Sequence, residues 1–387
     1  MKTQIQHWLN RILAGGAFVA VAATAGCGSW KAELSWNKPA PADAPAVAET
    51  PPVRQSVQSP DSVDPADSPR VVPVNIFGEF DGIRRAATTD PVGPINLQQH
   101  TFVNEGYDAD VAIDPTGKWM VYASTRHNEH PEIYLQRTDG MSVIQLTSDT
   151  ADDVNPAFSP DGKRIAFASS RSGNWNIHVM DIDGRNLIQL TSGRTQDLQP
   201  TWSPDGRMIC FARMGGRSDQ WELWIVDTET LETRMIGHGL YPIWSPDKTR
   251  NRIAFQRARQ RGSRWFSLWT LDLVDGEARR LTEIAVSTNA AIVKPAWSPD
   301  GTELAFCTIA DPAITDNGKP VGQQDVWIIK ADGTARRRLT DGKSSNLMPA
   351  WAVDNRVYFV SNRGGTECIW SVRAEDAPQQ QEVAITE

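Results

Sequence analysis

The chain has 387 residues, a formal charge of −8, and 15 tryptophans against 5 tyrosines. Hydrophobic residues make up 40% of it, enough for a sizeable core, and the acidic balance excludes a general nucleic-acid binder, which would show a basic face. The four cysteines form no Cys-x-x-Cys pair, and no P-loop, His-Glu-x-x-His or Gly-x-Ser-x-Gly occurs, so no metal cage, phosphate cradle or nucleophile elbow is expected. Trp needs a shaped pocket for its bulk and a partner for its N–H. Such frequent use points to one repeated structural position.

The N-terminus reads as an address. Lys2 and Arg11 precede an apolar run, Ile12 to Ala25, which is too short for a membrane span and right for a signal-peptide core. The run ends Thr24-Ala25-Gly26-Cys27, which resembles the bacterial lipobox, although Thr24 replaces the usual Leu. Residues 1–26 are therefore expected to be a lipoprotein signal peptide, with Cys27 the lipidated residue. Gly28 after the Cys is similar to lipoproteins sent to the outer membrane. A plain secretory signal with an incidental Cys is the alternative. Residues 27–70 hold 8 Pro among Ala, Ser and Asp without periodicity, and are expected to be a disordered tether. The folded domain is expected over 71–387.

An internal repeat then organises the chain. Pro156-Ala-Phe158-Ser-Pro-Asp-Gly162 recurs as Pro200-Thr-Trp202-Ser-Pro-Asp-Gly206, as Pro242-Ile-Trp244-Ser-Pro-Asp247 and as Pro295-Ala-Trp297-Ser-Pro-Asp-Gly301. Degenerate copies stand at Val111 to Gly117 and at Pro349 to Asp354. In each, Pro and Gly make a tight turn, and an alternating strand such as Arg164 to Ser169 follows. A third strand and a fourth follow, the fourth ending in Leu-Thr: Leu146-Thr147, Leu190-Thr191, Leu281-Thr282 and Leu339-Thr340. The pattern resembles the WD40-like repeats (PD40) of the TolB family. That resemblance implies an all-β fold, a six-bladed β-propeller of four-stranded antiparallel blades beginning near 107, 152, 196, 239, 290 and 345. The chain is expected to depart from TolB in one respect: TolB carries a folded α/β domain before its propeller, and here the tether is expected in that place.

Alternation accounts for the tryptophans. One column ends the inner strands (Trp202, Trp244, Trp297, Trp351) and a second lies on the third strands (Trp224, Trp269, Trp327, Trp370). Both are expected to be packing columns. Closure of the sixth blade needs a strand from one end of the chain, Ile95 to Leu97 or Val383 to Thr386, the first being preferred.

Candidate site residues follow from propeller geometry, which puts the variable loops on one face. There the starts of the inner strands are expected to ring a channel mouth with Asp108, Asp110, Asp153, Asn155, Asp197, Gln199, Tyr241, Lys294 and Asn346. This ring suits a polar or cationic partner segment or a metal ion. It also reads as a solvated loop row, since Asp and Asn favour turns. Loop candidates are Arg257, Arg259, Arg261 and Arg264, for an anion, and Trp175, Trp221 and Trp265 as binding aromatics. No catalytic residue, structural metal or cofactor is expected. The resemblance implies a non-enzymatic, monomeric envelope scaffold that binds protein, with a peptidoglycan-associated lipoprotein among candidate partners. A saccharide- or peptidoglycan-binding propeller and a metal-dependent propeller lyase are the alternatives.

Overall fold

The repeated turn closes on itself chemically. In the second copy the Ser159 hydroxyl donates to the Asp161 carboxylate at 2.6 Å and accepts from the Arg164 amide at 2.9 Å. Gly162 ends the turn with φ 69° and donates its amide to the Ser159 carbonyl at 2.9 Å. Ser203–Asp205 and Ser298–Asp300 repeat the hydroxyl contact at 2.5 and 2.6 Å. Each Gly is also a point of close approach. A Cβ on Gly162 would sit 3.5 Å from Pro115 of the preceding repeat, and one on Gly206 would sit 3.7 Å from Pro160. The turns thus form a continuous collar.

The architecture comes from a computed structural model, which describes residues 74–75, 96–215, 220–258, 266–274, 276–287, 290–310, 315–316, 319–320, 324–342 and 344–377. The signal, the tether and Cys27 lie outside the described residues. Six sheets form a β-propeller of antiparallel four-stranded blades. Blade 1 has strands Asp108–Ile113, Trp119–Ser124, Glu132–Arg137 and Val143–Gln145. Blade 2 has Asp153–Phe158, Arg164–Ser169, Asn176–Asp181 and Ile188–Gln189. Blade 3 has Asp197–Trp202, Met208–Met214, Trp221–Asp227 and Thr233–His238. Blade 4 has Leu240–Trp244, Arg252–Ala258, Phe266–Val274 and Glu277–Val286, with Val74–Asn75 pairing in parallel at its outer edge. Blade 5 has Ala290–Trp297, Glu303–Ala310, Gln324–Lys330 and Arg337–Arg338, with a two-residue hairpin, Thr315–Asp316 and Lys319–Pro320, between its second and third strands. Blade 6 has Asn346–Trp351, Arg356–Ser361 and Cys368–Arg373.

Blade 6 takes its outer strand from the other end of the chain. Gln98 pairs with Ser371 and Gln99 with Trp370. The clasp is N-terminal, as preferred, but falls just after Ile95 to Leu97; Val383 to Thr386 lie outside the described residues. His100-Thr101 then plays the part of Leu-Thr. The Thr101 hydroxyl accepts from the Ile369 amide at 2.9 Å, as Thr147 does from Ile133, Thr191 from Ile177 and Thr340 from Val326. Blade 4 departs from the pattern. Its outer strand runs on past Leu281-Thr282 to Val286, with Thr282 opposite Thr270, so Leu281-Thr282 does not end the strand there.

The described core is divided into six clusters, one between each pair of neighbouring blades. All eight column tryptophans pack into these interfaces. The sequence reading missed a third column. Tyr122, Phe167, Phe211, Phe255, Phe306 and Phe359 on the second strands are fully buried. They stand directly opposite Tyr134, His178, Trp224, Trp269, Trp327 and Trp370. Cross-strand aromatic pairs are the unit that stabilises such sheets. Trp202 and Trp297 also reach the preceding blade, donating Nε1–H to the carbonyls of Ala157 and Ile243 at 3.1 and 3.0 Å.

Thr340 ties an outer strand to a buried charge, since its hydroxyl donates to Asp325 at 2.7 Å while accepting from the Val326 amide. Burial holds the Asp325 carboxyl above its usual range. The isosteric change Thr340→Val leaves both partners short of a bond. It is expected to cost about 1–3 kcal/mol in urea unfolding.

Candidate functional site

The candidate ring residues separate into two tiers within the inner strands. Asp108, Asp153, Asp197 and Asn346 are the first residues of their strands and are fully buried. Each accepts from an arginine at the end of the second strand or just past it: Arg126 at 2.8 Å, Arg171 at 2.8 Å, Arg213 at 2.7 Å and Arg363 at 3.0 Å. Ser124, Ser169 and Ser361 accept from three of these arginines as well. The guanidinium groups lie over the aromatic columns, Arg213 at 4.6 Å from the Trp224 ring centroid and Arg363 at 5.3 Å from that of Trp370. This tier is therefore an internal clamp and does not line a channel mouth. The same geometry corrects the reading of Arg257, which stacks on Trp269 at 5.6 Å as the blade 4 counterpart of Arg213. Blade 4 has Gly239 where blades 1 to 3 have the acid. A Cβ there would overlap the Phe255 ring and lie 2.8 Å from the Gln256 carbonyl. Blade 5 has Ile292 opposite Thr308 instead of the pair.

The second tier faces the axis. Asp110, Asn155, Gln199, Tyr241, Lys294 and Met348 occupy one equivalent position in the six blades, and each has a left-handed φ between 50° and 59°. The strand register shifts at this point in every blade. Proline follows in blades 2 to 6 (Pro156, Pro200, Pro242, Pro295, Pro349). Proline is tolerated here because the inner strand is an edge with no neighbour to receive its N–H, and it blunts that edge against stray pairing. Six-fold repetition makes the kink architectural. Only the side-chain chemistry varies: acid, two amides, phenol, ammonium and thioether.

Asp110, Asn155, Gln199, Tyr241 and Lys294 line one end of a cavity of about 450 Å³. The Lys294 ammonium is bonded to Asp110, whose second oxygen accepts from the Asn155 amide at 2.8 Å. A polar bar thus joins blades 5, 1 and 2 across the axis. Gln199 accepts from the Tyr241 amide at 2.7 Å. Burial, and after it the charge of Asp110, pushes the Tyr241 phenol above its ordinary value, so it stays neutral. From this floor the wall runs past Phe158, Trp202, Trp244, Trp297 and Trp351 to a rim of Pro115, Pro160, Pro204, Pro246, Pro299 and Val353. The cavity therefore lies on the side of the short Ser-Pro-Asp turns, not on the side of the variable loops. Sequence reasoning named these five floor residues and missed the proline rim. The x-Pro step after each floor position was the signal available.

The remaining aromatic candidates are packed. Trp175 and Trp221 are half-buried against the cluster between blades 2 and 3. Arg259, Arg261, Arg264 and Trp265 lie outside the described residues. Among the described residues no three His, Cys, Asp or Glu side chains converge as metal ligands would, and no helix is long and apolar enough to cross a membrane.

Six four-stranded blades around one cavity define a repeat propeller. The chain belongs to the TolB β-propeller domain family (PD40), whose model matches residues 111–220, 174–314 and 213–386. It is similar to a TolB homolog of Chlorobium luteolum, 33% identical over 107 residues, which span 26% of this chain and 24% of that protein. It is also similar to dipeptidyl-peptidase 5 of Porphyromonas gingivalis, 31% identical over 22% of this chain and 12% of that one. The matches thus span a quarter or less of these relatives' length. Among solved structures, one assigned to TolB of Agrobacterium tumefaciens superposes with a TM-score of 0.52 at 19% identity, covering 69% of this chain and 90% of that one. The oligogalacturonate lyase of Vibrio parahaemolyticus superposes at 0.50 and 13% identity, covering 72% and 93%. At these identities the structures share the fold.

Arg213→Met would leave Asp197 charged, buried and unpaired. It is expected to cost about 3–5 kcal/mol by denaturant unfolding, and the double change with Asp197→Leu should recover much of that loss.

Proposed function

We propose that the protein is a non-enzymatic cell-envelope lipoprotein that presents its TolB-type propeller as a protein-binding scaffold. It is held by lipid at Cys27 on the periplasmic side of the outer membrane. The observation that carries the binding reading is the cavity, with an apolar wall and one polar bar at its end. Its about 450 Å³ falls within the range of clefts that take small ligands or a few side chains, not a folded domain. A partner therefore inserts a segment from the short-turn face. Prolines and ring faces take the apolar part of that segment. The Nε1–H groups of Trp202, Trp244, Trp297 and Trp351 are already bonded within the propeller, so they do not direct it. Orientation falls to Lys294, Asp110 and Asn155, whose mutual bonds a polar group of the segment would exchange for its own. A peptidoglycan-associated lipoprotein is one candidate partner.

The test is affinity capture from envelope extract on the full chain. A stoichiometric protein partner is expected, with Lys294→Glu lowering its capture at least tenfold and Arg257→Ala leaving it unchanged. Retention only on isolated peptidoglycan would replace this reading with a saccharide binder. Turnover of oligouronates abolished by EDTA would overturn the non-enzymatic reading. The anchor is tested separately: palmitate incorporation should be lost in Cys27→Ser, while the channel's partner is still captured from detergent extract.

A further inference from the structure

The clasp that closes the ring contains a buried imidazole. His100 is 5% exposed, between the closing strand, blade 6 and blade 1. Its Nδ1 lies 3.0 Å from the Thr138 carbonyl, which can only accept, so Nδ1 carries the proton. Its Nε2 lies 2.8 Å from the Ser371 hydroxyl. That hydroxyl accepts from Arg356 at 3.1 Å, which leaves its own proton for Nε2. The arrangement therefore fits a neutral ring with each nitrogen in one role. The His100 carbonyl accepts from the Gln136 amide at 2.9 Å, and the ring lies 4.8 Å from that of Tyr358.

We infer that His100 is a pH-sensitive latch on the strand that closes the propeller. Protonation at Nε2 removes the acceptor that Ser371 uses. It also places a second cation beside the Arg356 guanidinium in a buried site. The ionisable groups facing the ring from the packed elements are Arg356, which opposes the charge, Asp354, which favours it from an exposed turn, and the neutral Tyr358 phenol. Thr138, Gln136 and Ser371 supply only neutral contacts. Burial, the largest influence, and Arg356 both hold the imidazole below its ordinary value of 6.5. The open clasp, with a solvated imidazole, binds the proton more readily than the closed one. The closed state is therefore fully favoured above that ordinary value and loses ground as pH falls below it. Each unit of depression is worth about a factor of ten in the opening equilibrium. What opens is the join between Gln98–Thr101 and the last strand of blade 6, held by two ladder pairs, by the bonds between His100-Thr101 and Ile369, and by Gln136 on the His100 carbonyl.

The experiment is hydrogen exchange on the full chain at pH 7.5 and 5.0, corrected for intrinsic rates. Protection of the His100, Thr101 and Ile369 amides is expected to fall severalfold or more at pH 5.0. Amides of blade 3, such as Ile209 and Ile225, should hold. His100→Gln can still donate to Thr138 and accept from Ser371, so it should keep the neutral-pH protection and lose the response. His178, the other buried imidazole, lies in blade 2, and His178→Gln should leave the clasp response intact. An unchanged clasp at pH 5.0, or the same response in His100→Gln, overturns the inference. If His100→Gln does not fold, the His100 titration followed by NMR in the native chain decides it. A midpoint at or above 6.5 overturns the latch, and a lower one coinciding with lost protection supports it.

Discussion

Six twisted sheets can share one axis only if each fills the wedge between itself and its neighbour. The cross-strand aromatic pair does this. A fully buried Tyr or Phe on the second strand meets a Tyr, His or Trp on the third, against the preceding blade. The pair also determines where charge can go. A guanidinium laid over the rings loses water on one side and needs an anion on the other, and the first residue of the inner strand supplies it in blades 1 to 3. The buried ion pair is thus a consequence of packing. Blades 4 and 5 give up the acid, at Gly239 and Ile292, and in blade 4 the third strand runs to nine residues.

Much of the fold was legible because the turn residues and the aromatic at the end of each inner strand recur at a nearly constant interval. A period survives divergence even when individual copies decay. The columns of tryptophan could be assigned for the same reason. The second-strand Phe column was not seen because Phe inside an alternating strand looks like any other buried residue. Its partnership appears only once register is known. Leu281-Thr282 was misleading because two residues cannot report how far a strand continues, and blade 4 extends four residues beyond them. His100-Thr101 was hidden in the opposite way: its chemistry matches the Leu-Thr ends, but it stands at the wrong end of the chain.

The candidate site was legible as a set of residues and illegible as a place. Asp108 and Asp110 are two positions apart and look alike in sequence, yet one is sealed under Arg126 and the other reaches the axis. The left-handed residue separates them, by shifting the strand register between Ala109 and Ala112. The kink decides which side chain faces the axis and which faces a neighbouring blade. It also explains why the cavity lies toward the uniform turns. Beyond the kink the strand carries small residues and prolines, which leave space along the axis. Before it come Ala109, Leu198, Leu240 and Leu347, all buried.

The closing strand has a consequence for how the molecule is made. The Thr101 hydroxyl and the Ile369 amide that it holds are 268 residues apart. The four strands of every other described blade come from one continuous stretch of chain. Blade 6 must wait for Gln98 and Gln99 to meet Ser371 and Trp370. Loop-closure entropy grows only slowly with length, so the join is affordable at equilibrium. Its rate is another matter, because contacts this distant form late and leave an unpaired strand edge exposed until they do. A folding chain is most exposed to misassembly in the interval between forming its other blades and pairing Gln98–Gln99 into blade 6.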